Sequence, residues 1–162
     1  MLLLIIGLPG SGKTTLARAY AEQYGAVHLN SDQVRAELNL RGQYSATAKQ
    51  RVYDELVRRI REALQAGHRV VVDSVLHREA AREPFRAVAA ECGAACRWVL
   101  LRVSDDTARM RLARTRPDSE ATIDVYEQLQ AEWEELSDPH LTLHADAMAM
   151  EDLLNTIHHY TL

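Results

Sequence analysis

The sequence predicts an α/β domain, with about five mostly parallel strands flanked by helices, and three observations carry that expectation. Short apolar runs recur at Leu2 to Ile6, Ala26 to Leu29, Arg69 to Asp73, Arg97 to Val103 and Leu141 to His144, with helical stretches between them. Gly25, Gly67 and Gly93 each follow a helical pattern and precede such a run, where a left-handed helix end is needed. A glycine-rich octapeptide, Gly7 to Thr14, joins the first run to the first helical pattern.

The first run lacks a basic start and breaks at Gly7 after too few apolar residues for a signal peptide, so it reads as a buried strand of a cytoplasmic protein. No apolar run is long enough to span a membrane. The chain of 162 residues reads as one domain over 1–162, long enough to remove roughly 70% of its unfolded surface from water. The longest amphipathic helix runs from about Ala46 to Ala66, with Val52, Leu56, Ile60 and Leu64 at four-residue steps forming the stripe that faces the sheet. Ser104 precedes Asp105 and Asp106, a cap followed by acids that complement the helix dipole. That helix runs into Arg109, Arg111, Arg114 and Arg116 and stops near Pro117. Further helices are expected at about Ala121 to Leu136, ending before Pro139, and at about Met150 to Tyr160. Glu127, Glu132, Glu134 and Glu135 read as a solvated face of the first of these.

Composition narrows the function. Cys92 and Cys96, in a chain without a secretory signal, read as structural thiols. The net charge of −4 lacks the basic footprint of a polyanion-binding domain. His140 and His144 fall in an alternating strand pattern, which does not present two imidazoles as a metal-binding helix would.

The octapeptide Gly7-Leu8-Pro9-Gly10-Ser11-Gly12-Lys13-Thr14 satisfies G-x-x-x-x-G-K-[ST] between a strand and a helix, the setting this phosphate loop requires. Its glycines let backbone N–H groups turn onto phosphate oxygens, and the helix N-terminus adds a positive dipole. Lys13 supplies a cation for the outer phosphates and Thr14 a hydroxyl for Mg2+. Gly7, Pro9, Gly10, Ser11, Gly12, Lys13, Thr14 and Thr15 are therefore the expected cradle for ATP. The loop alone does not separate kinases from GTPases, motors or transporters. No Asn-Lys-x-Asp motif is present and no aspartate lies three residues before a glycine, which disfavours a GTPase. The chain is too short for the added subdomains of larger ATPases, which leaves a small kinase.

Beyond the loop, Asn30-Ser31-Asp32-Gln33-Val34-Arg35-Ala36-Glu37-Leu38, then Val70-Val71-Val72-Asp73, then the segment Arg111 to Ala121 resemble the AAA_33 family of P-loop kinases. That family includes the kinase domain of phage polynucleotide 5′-kinase and is related to zeta-toxin and chloramphenicol phosphotransferase kinases. The resemblance covers nearly the whole chain and implies a P-loop NTPase fold of small-kinase type, with a short arginine-rich lid at about 109–117. It implies that Asp32 acts on the acceptor hydroxyl, with a plain helix cap as the alternative role, and that Arg35 and Arg82 contact substrate. It further implies that Asp73 joins Thr14 at magnesium, that Arg116 is the catalytic lid arginine, and that Arg111 and Arg114 lie on the nucleotide side. His77 has no assigned role.

These readings converge on a kinase that transfers the γ-phosphate of Mg·ATP to a hydroxyl of a small molecule. The alternatives are a polynucleotide 5′-hydroxyl kinase, with nucleic acid as substrate, and a non-catalytic ATP-binding regulatory module.

Overall fold

The computed structural model describes residues 1–114 and 121–162. Its elements are β1 (Leu2–Ile6), α1 (Lys13–Tyr24), β2 (Ala26–Asn30), α2 (Ser31–Glu37), α3 (Ala46–Gln65), β3 (Arg69–Ser74), α4 (Glu79–Glu91), β4 (Cys96–Arg102), α5 (Asp105–Leu112), α6 (Ile123–Ala131), β5 (His140–His144) and α7 (Met150–Thr161). The five strands form one sheet in the order β2-β3-β1-β4-β5, and every pairing is parallel.

A parallel sheet covered on both faces needs strands apolar on both sides, which explains the unbroken Leu-Leu-Leu-Ile-Ile of β1, buried throughout. Alternate residues serve opposite layers. Leu2, Leu4 and Ile6 join Val70, Val72, Trp98 and Leu100 against Val52, Leu56 and Ile60 of α3 and Phe85, Val88 and Ala89 of α4. Leu3 and Ile5 join Val71, Val99 and Leu143 against Leu16, Ala17 and Tyr20 of α1 and Leu153, Leu154 and Ile157 of α7. A smaller cluster of Ala108, Leu112 and Tyr126 packs α5 on α6, with Leu8 of the phosphate loop against it. Among the described residues no helix is long and apolar enough to cross a membrane.

The expected helix from Ala121 to Leu136 is shorter than its sequence pattern. α6 stops at Ala131 because Arg82, on α4, captures the carbonyls of Glu134 and Glu135 at 2.6 and 2.9 Å. The Glu134 N–H donates to the His77 carbonyl at 2.8 Å. Backbone groups spent this way cannot continue a helix. The acidic run is accordingly not one solvated face: Glu132 pairs with Arg78 at 3.0 Å, and Glu134 accepts the Glu79 N–H at 2.6 Å, at the start of α4. α5 likewise ends at Leu112, ahead of Pro117.

Burial pushes the Cys96 thiol up to about 11, so it stays protonated and inert at neutral pH.

Candidate active site

The phosphate loop leaves β1 at the carboxyl edge of the sheet, where two of its glycines are dictated by space and backbone angle. A Cβ on Gly7 would stand 2.4 Å from the Leu101 carbonyl oxygen, nearer than any side chain can approach. Gly10 has φ +81, in the left-handed region, and a Cβ there would meet the Ala108 carbonyl at 3.0 Å. Gly12 is the N-cap of α1 without a side-chain cap, and no acidic residue occupies the first turn. A helix end of this kind turns its first N–H groups toward an anion. Lys13 is buried and its ammonium donates to the Leu8 carbonyl at 2.9 Å, folded back over the loop. The Ser11 hydroxyl is buried and has no hydrogen-bond partner among the described residues.

Asp73 is the centre of the second half of the site. It is 1% exposed on β3, and its Oδ1 accepts from the Thr14 hydroxyl at 2.8 Å and from the Asn30 amide at 2.7 Å. His28 Nε2 lies 2.6 Å from Oδ2. Sheet register brings these groups together, because Asn30 pairs with Asp73 across β2 and β3, and His28 lies two residues back on the same side of β2. The Asn30 carbonyl oxygen Oδ1 also accepts the Gln33 N–H at 2.8 Å, capping α2. Asn30 is therefore the cap, and Asp32 stands exposed in the first turn of that helix. The sequence pattern singles out neither His28 nor a role for Asn30; their one signal is the spacing of two polar residues on one face of a strand.

The arginines divide into distinct groups. Arg111 donates to the Gly10 carbonyl at 3.0 Å and lies 3.3 Å from where a Gly12 Cβ would stand, against the cradle. Arg114 lines a cavity with Gly10, Gly12 and Thr15. Arg109 faces away, bonded to Asp105 at 2.7 Å and Glu127 at 2.8 Å, where it ties α5 to α6. Arg116 lies outside the described residues. Arg35 is buried, donating to the Gln43 carbonyl at 2.6 Å with its guanidinium 4.5 Å over the Tyr44 ring.

Arg82, expected at the substrate, is held by the fold itself. It is fully buried, and besides the carbonyls of Glu134 and Glu135 it donates to the Leu76 carbonyl at 2.9 Å. Its guanidinium is engaged by backbone carbonyls and fastens the loop after β3 to the chain after α6. His77, in that loop, is buried with Glu132 at 3.4 Å, and burial pushes its pKa down.

Two cavities flank the loop and share Ser11 and Leu101. One, of about 420 Å³, runs from Gly12 and Thr15 past Arg111 and Arg114 to Ala145, Met148 and Leu153. The other, of about 310 Å³, opens from Leu8 and Pro9 toward Val103, Tyr126 and Trp133. A nucleoside triphosphate fits this donor set: a glycine cradle with no room for side chains, an uncapped helix N-terminus, a lysine, and an apolar cavity with two guanidinium groups at its mouth. Mg2+ fits the adjoining hydroxyl and carboxylate of Thr14 and Asp73, both oxygen donors.

Residues 2–136 match the AAA_33 family, described as an AAA domain. An uncharacterised protein of Mycobacterium tuberculosis is 32% identical over 149 residues, which cover 82% of this chain; the chain spans about 30% of that relative's length. Among solved structures, Kti12 of Chaetomium thermophilum in complex with ADP-AlF3 superposes with a TM-score of 0.77 at 18% identity, covering 100% of both chains. The Mycobacterium tuberculosis APS kinase CysC, in complex with AMPPNP and APS, gives a TM-score of 0.77 at 19% identity, covering 98% of this chain and 95% of that one. The fold is that of the small P-loop kinases.

Proposed function

The chain belongs to the AAA_33 family, and on that footing we propose that it is a kinase, transferring the γ-phosphate of Mg·ATP to a hydroxyl of a small molecule. The observation that carries this reading is the 2.8 Å hydrogen bond from Thr14, on the phosphate loop, to buried Asp73, 59 residues away on β3. This joins a phosphate cradle to a carboxylate fit for a metal, the pairing that phosphoryl transfer requires.

In the proposed reaction the acceptor oxygen attacks the γ-phosphorus in line. The bond from that phosphorus to the β-γ bridging oxygen breaks, and its electrons remain on ADP. Asp32, exposed at the start of α2, takes the proton that leaves the acceptor hydroxyl. Lys13 swings from the Leu8 carbonyl onto the outer phosphates, and Arg111 and Arg114 hold the nucleotide from the α5 side. Arg116 is assigned to charge on the transferring group. Magnesium, when bound, neutralises phosphate oxygens from the side of Thr14 and Asp73.

The test is a transfer assay with γ-labelled ATP over sugars, nucleosides, aminoglycosides and single-stranded oligonucleotides. A labelled phosphoester on a small acceptor is the expected product, and Lys13→Ala should abolish it. Tight ATP binding with no transfer to any acceptor would make the protein a nucleotide-binding module instead.

A further inference from the structure

Arg35 and Arg82 are both buried, yet their guanidinium groups are satisfied to different degrees. Arg82 donates to the carbonyls of Leu76, His77, Glu134 and Glu135 and to the Glu79 carboxylate. Arg35 is 7% exposed and has one acceptor among the described residues, the Gln43 carbonyl at 2.6 Å, while its Nε–H is buried without a partner. The Tyr44 ring covers the flat face of the group, which leaves the donors along its edge unused. A buried charge with unused donors destabilises a fold unless something else meets it.

Its surroundings say what that is. Arg35 follows Asp32 by one turn of α2, so the two stand roughly 5–6 Å apart at their Cβ atoms. α2 packs on α3, whose first half carries Lys49 and, one turn on, half-buried Tyr53. The charges of both α2 residues reach the Tyr53 phenol: burial pushes its pKa up, Arg35 pulls it down and Asp32 raises it. Lys49 is one of two lysines in the chain and is half-buried. Its ammonium has no hydrogen bond or ion pair among the described residues. Its charge reaches His77 in the loop after β3, where burial, then Lys49 and Arg78, push the imidazole pKa down. Neighbouring carboxylates are already committed, Glu37 to Arg59 at 2.6 Å and Glu132 to Arg78 at 3.0 Å. The Asp32 side of the cleft therefore holds two cations, Arg35 and Lys49, whose charges no carboxylate of the described chain takes up.

We infer that the phosphate acceptor is a small hydroxyl compound bearing an oxyanion, a carboxylate or a phosphate ester, held between α2 and α3 with the oxyanion on Arg35 and Lys49 and the hydroxyl on Asp32. The inference rests on the kinase reading above, and it puts the acceptor on the same side of the terminal phosphate as its base. The hydroxyl gives its proton to Asp32 and its oxygen bonds to the γ-phosphorus. The bond from that phosphorus to the β-γ bridging oxygen breaks, with its electron pair left on ADP. A planar fork on one oxyanion fixes direction as well as position, which aims the hydroxyl, and Lys49 adds a point charge. Two cations also offset the repulsion between an acidic acceptor and the triphosphate. One such pocket, in a chain of net charge −4 without a basic stripe, suits a small acid and not a nucleic-acid end.

The experiment uses the full chain with Mg·ATP and matched acceptors that differ in the acid group: glucose, gluconate and glucose 6-phosphate, with the corresponding pentose set, nucleosides and a 5′-hydroxyl oligonucleotide. The expected result is transfer to at least one acid with kcat/KM about 100-fold or more above its uncharged parent, and the carboxylate and phosphate arms tell the two acids apart. Lys49→Ala removes a side chain that no described residue holds, so folding is not at stake. It should raise the acceptor KM roughly tenfold or more with the KM for ATP unchanged. Arg35→Lys, which keeps the buried charge and loses the fork, should do the same, with melting temperature read alongside. Transfer to uncharged acceptors or to the oligonucleotide alone, or to an acid whose KM ignores Lys49→Ala, would overturn the inference and leave the kinase reading standing. Binding of a non-hydrolysable ATP analogue with transfer to nothing in the panel would overturn the kinase reading, and the inference with it.

Discussion

His28 Nε2 lies 2.6 Å from Asp73 Oδ2, so the carboxylate that faces the phosphate loop is held from both sides: by His28 on one oxygen, and by Thr14 and Asn30 on the other. A carboxylate fixed in this way presents one orientation to a metal.

Replacing His28 with Ala should therefore free Asp73 to rotate without removing a group from the phosphate cradle. The expected effect is a roughly tenfold or greater rise in the Mg2+ concentration needed for tight nucleotide binding. It is read by titrating Mg2+ against a fluorescent ATP analogue, with affinity for the metal-free nucleotide little changed. An unaltered Mg2+ midpoint would leave His28 with only a packing role.

Asp32→Asn separates catalysis from capping. Because Asn30 caps α2, the substitution should leave the melting temperature and ATP affinity near wild type. The turnover number should fall by about 100-fold or more, as expected for a lost general base. Parallel loss of stability and ATP binding would return Asp32 to a structural role.

Arg109, Arg111 and Arg116 should differ in what their replacement costs. Arg111→Ala removes a guanidinium from the Gly10 carbonyl and the cradle, so ATP affinity should drop. Arg109→Ala breaks the links to Asp105 and Glu127 and the contact over the Tyr126 ring, and should leave ATP affinity alone. For Arg116→Ala the expectation is a fall in turnover of roughly a thousandfold, about 4 kcal/mol of barrier, at saturating ATP. Steady-state kinetics on the three variants distinguishes these outcomes.

Stability should fall in acid through Asp138. The Arg86 guanidinium, bonded to both of its oxygens, holds this carboxyl below the usual carboxylate range. A folded pKa lower than the unfolded value means the stabilisation is complete above about pH 4 and disappears as pH falls through the folded value. Asp138→Asn should thus cost about 1–2 kcal/mol at pH 7. Denaturant melts of the two proteins should converge toward pH 2; a pH-independent gap would trace the loss to packing.

The strands and most helices are legible in the sequence because a two-faced parallel sheet demands continuous apolar runs and an outer helix demands a stripe. β1 and α3 follow their patterns nearly residue for residue. What periodicity does not carry is lateral order: nothing in β2 or β3 announces that they are neighbours, so the meeting of His28 and Asn30 with Asp73 emerges only from register. Arg82 illustrates a second gap. An arginine on an amphipathic helix looks alike whether it meets a substrate or backbone carbonyls, and its acceptors here lie 52 and 53 residues downstream.

The two ends of the Asn30 amide point at different partners: its nitrogen at Asp73 and Thr14, its oxygen at the first turn of α2, which carries Asp32. One short, two-ended side chain thereby works as a gauge block between the proposed metal side and the proposed acceptor side of the cleft. Neither can drift relative to the other without breaking a hydrogen bond. Lengthening the gauge by one methylene, as Asn30→Gln would, alters the distance across which the proposed phosphoryl transfer runs while removing none of its reacting groups.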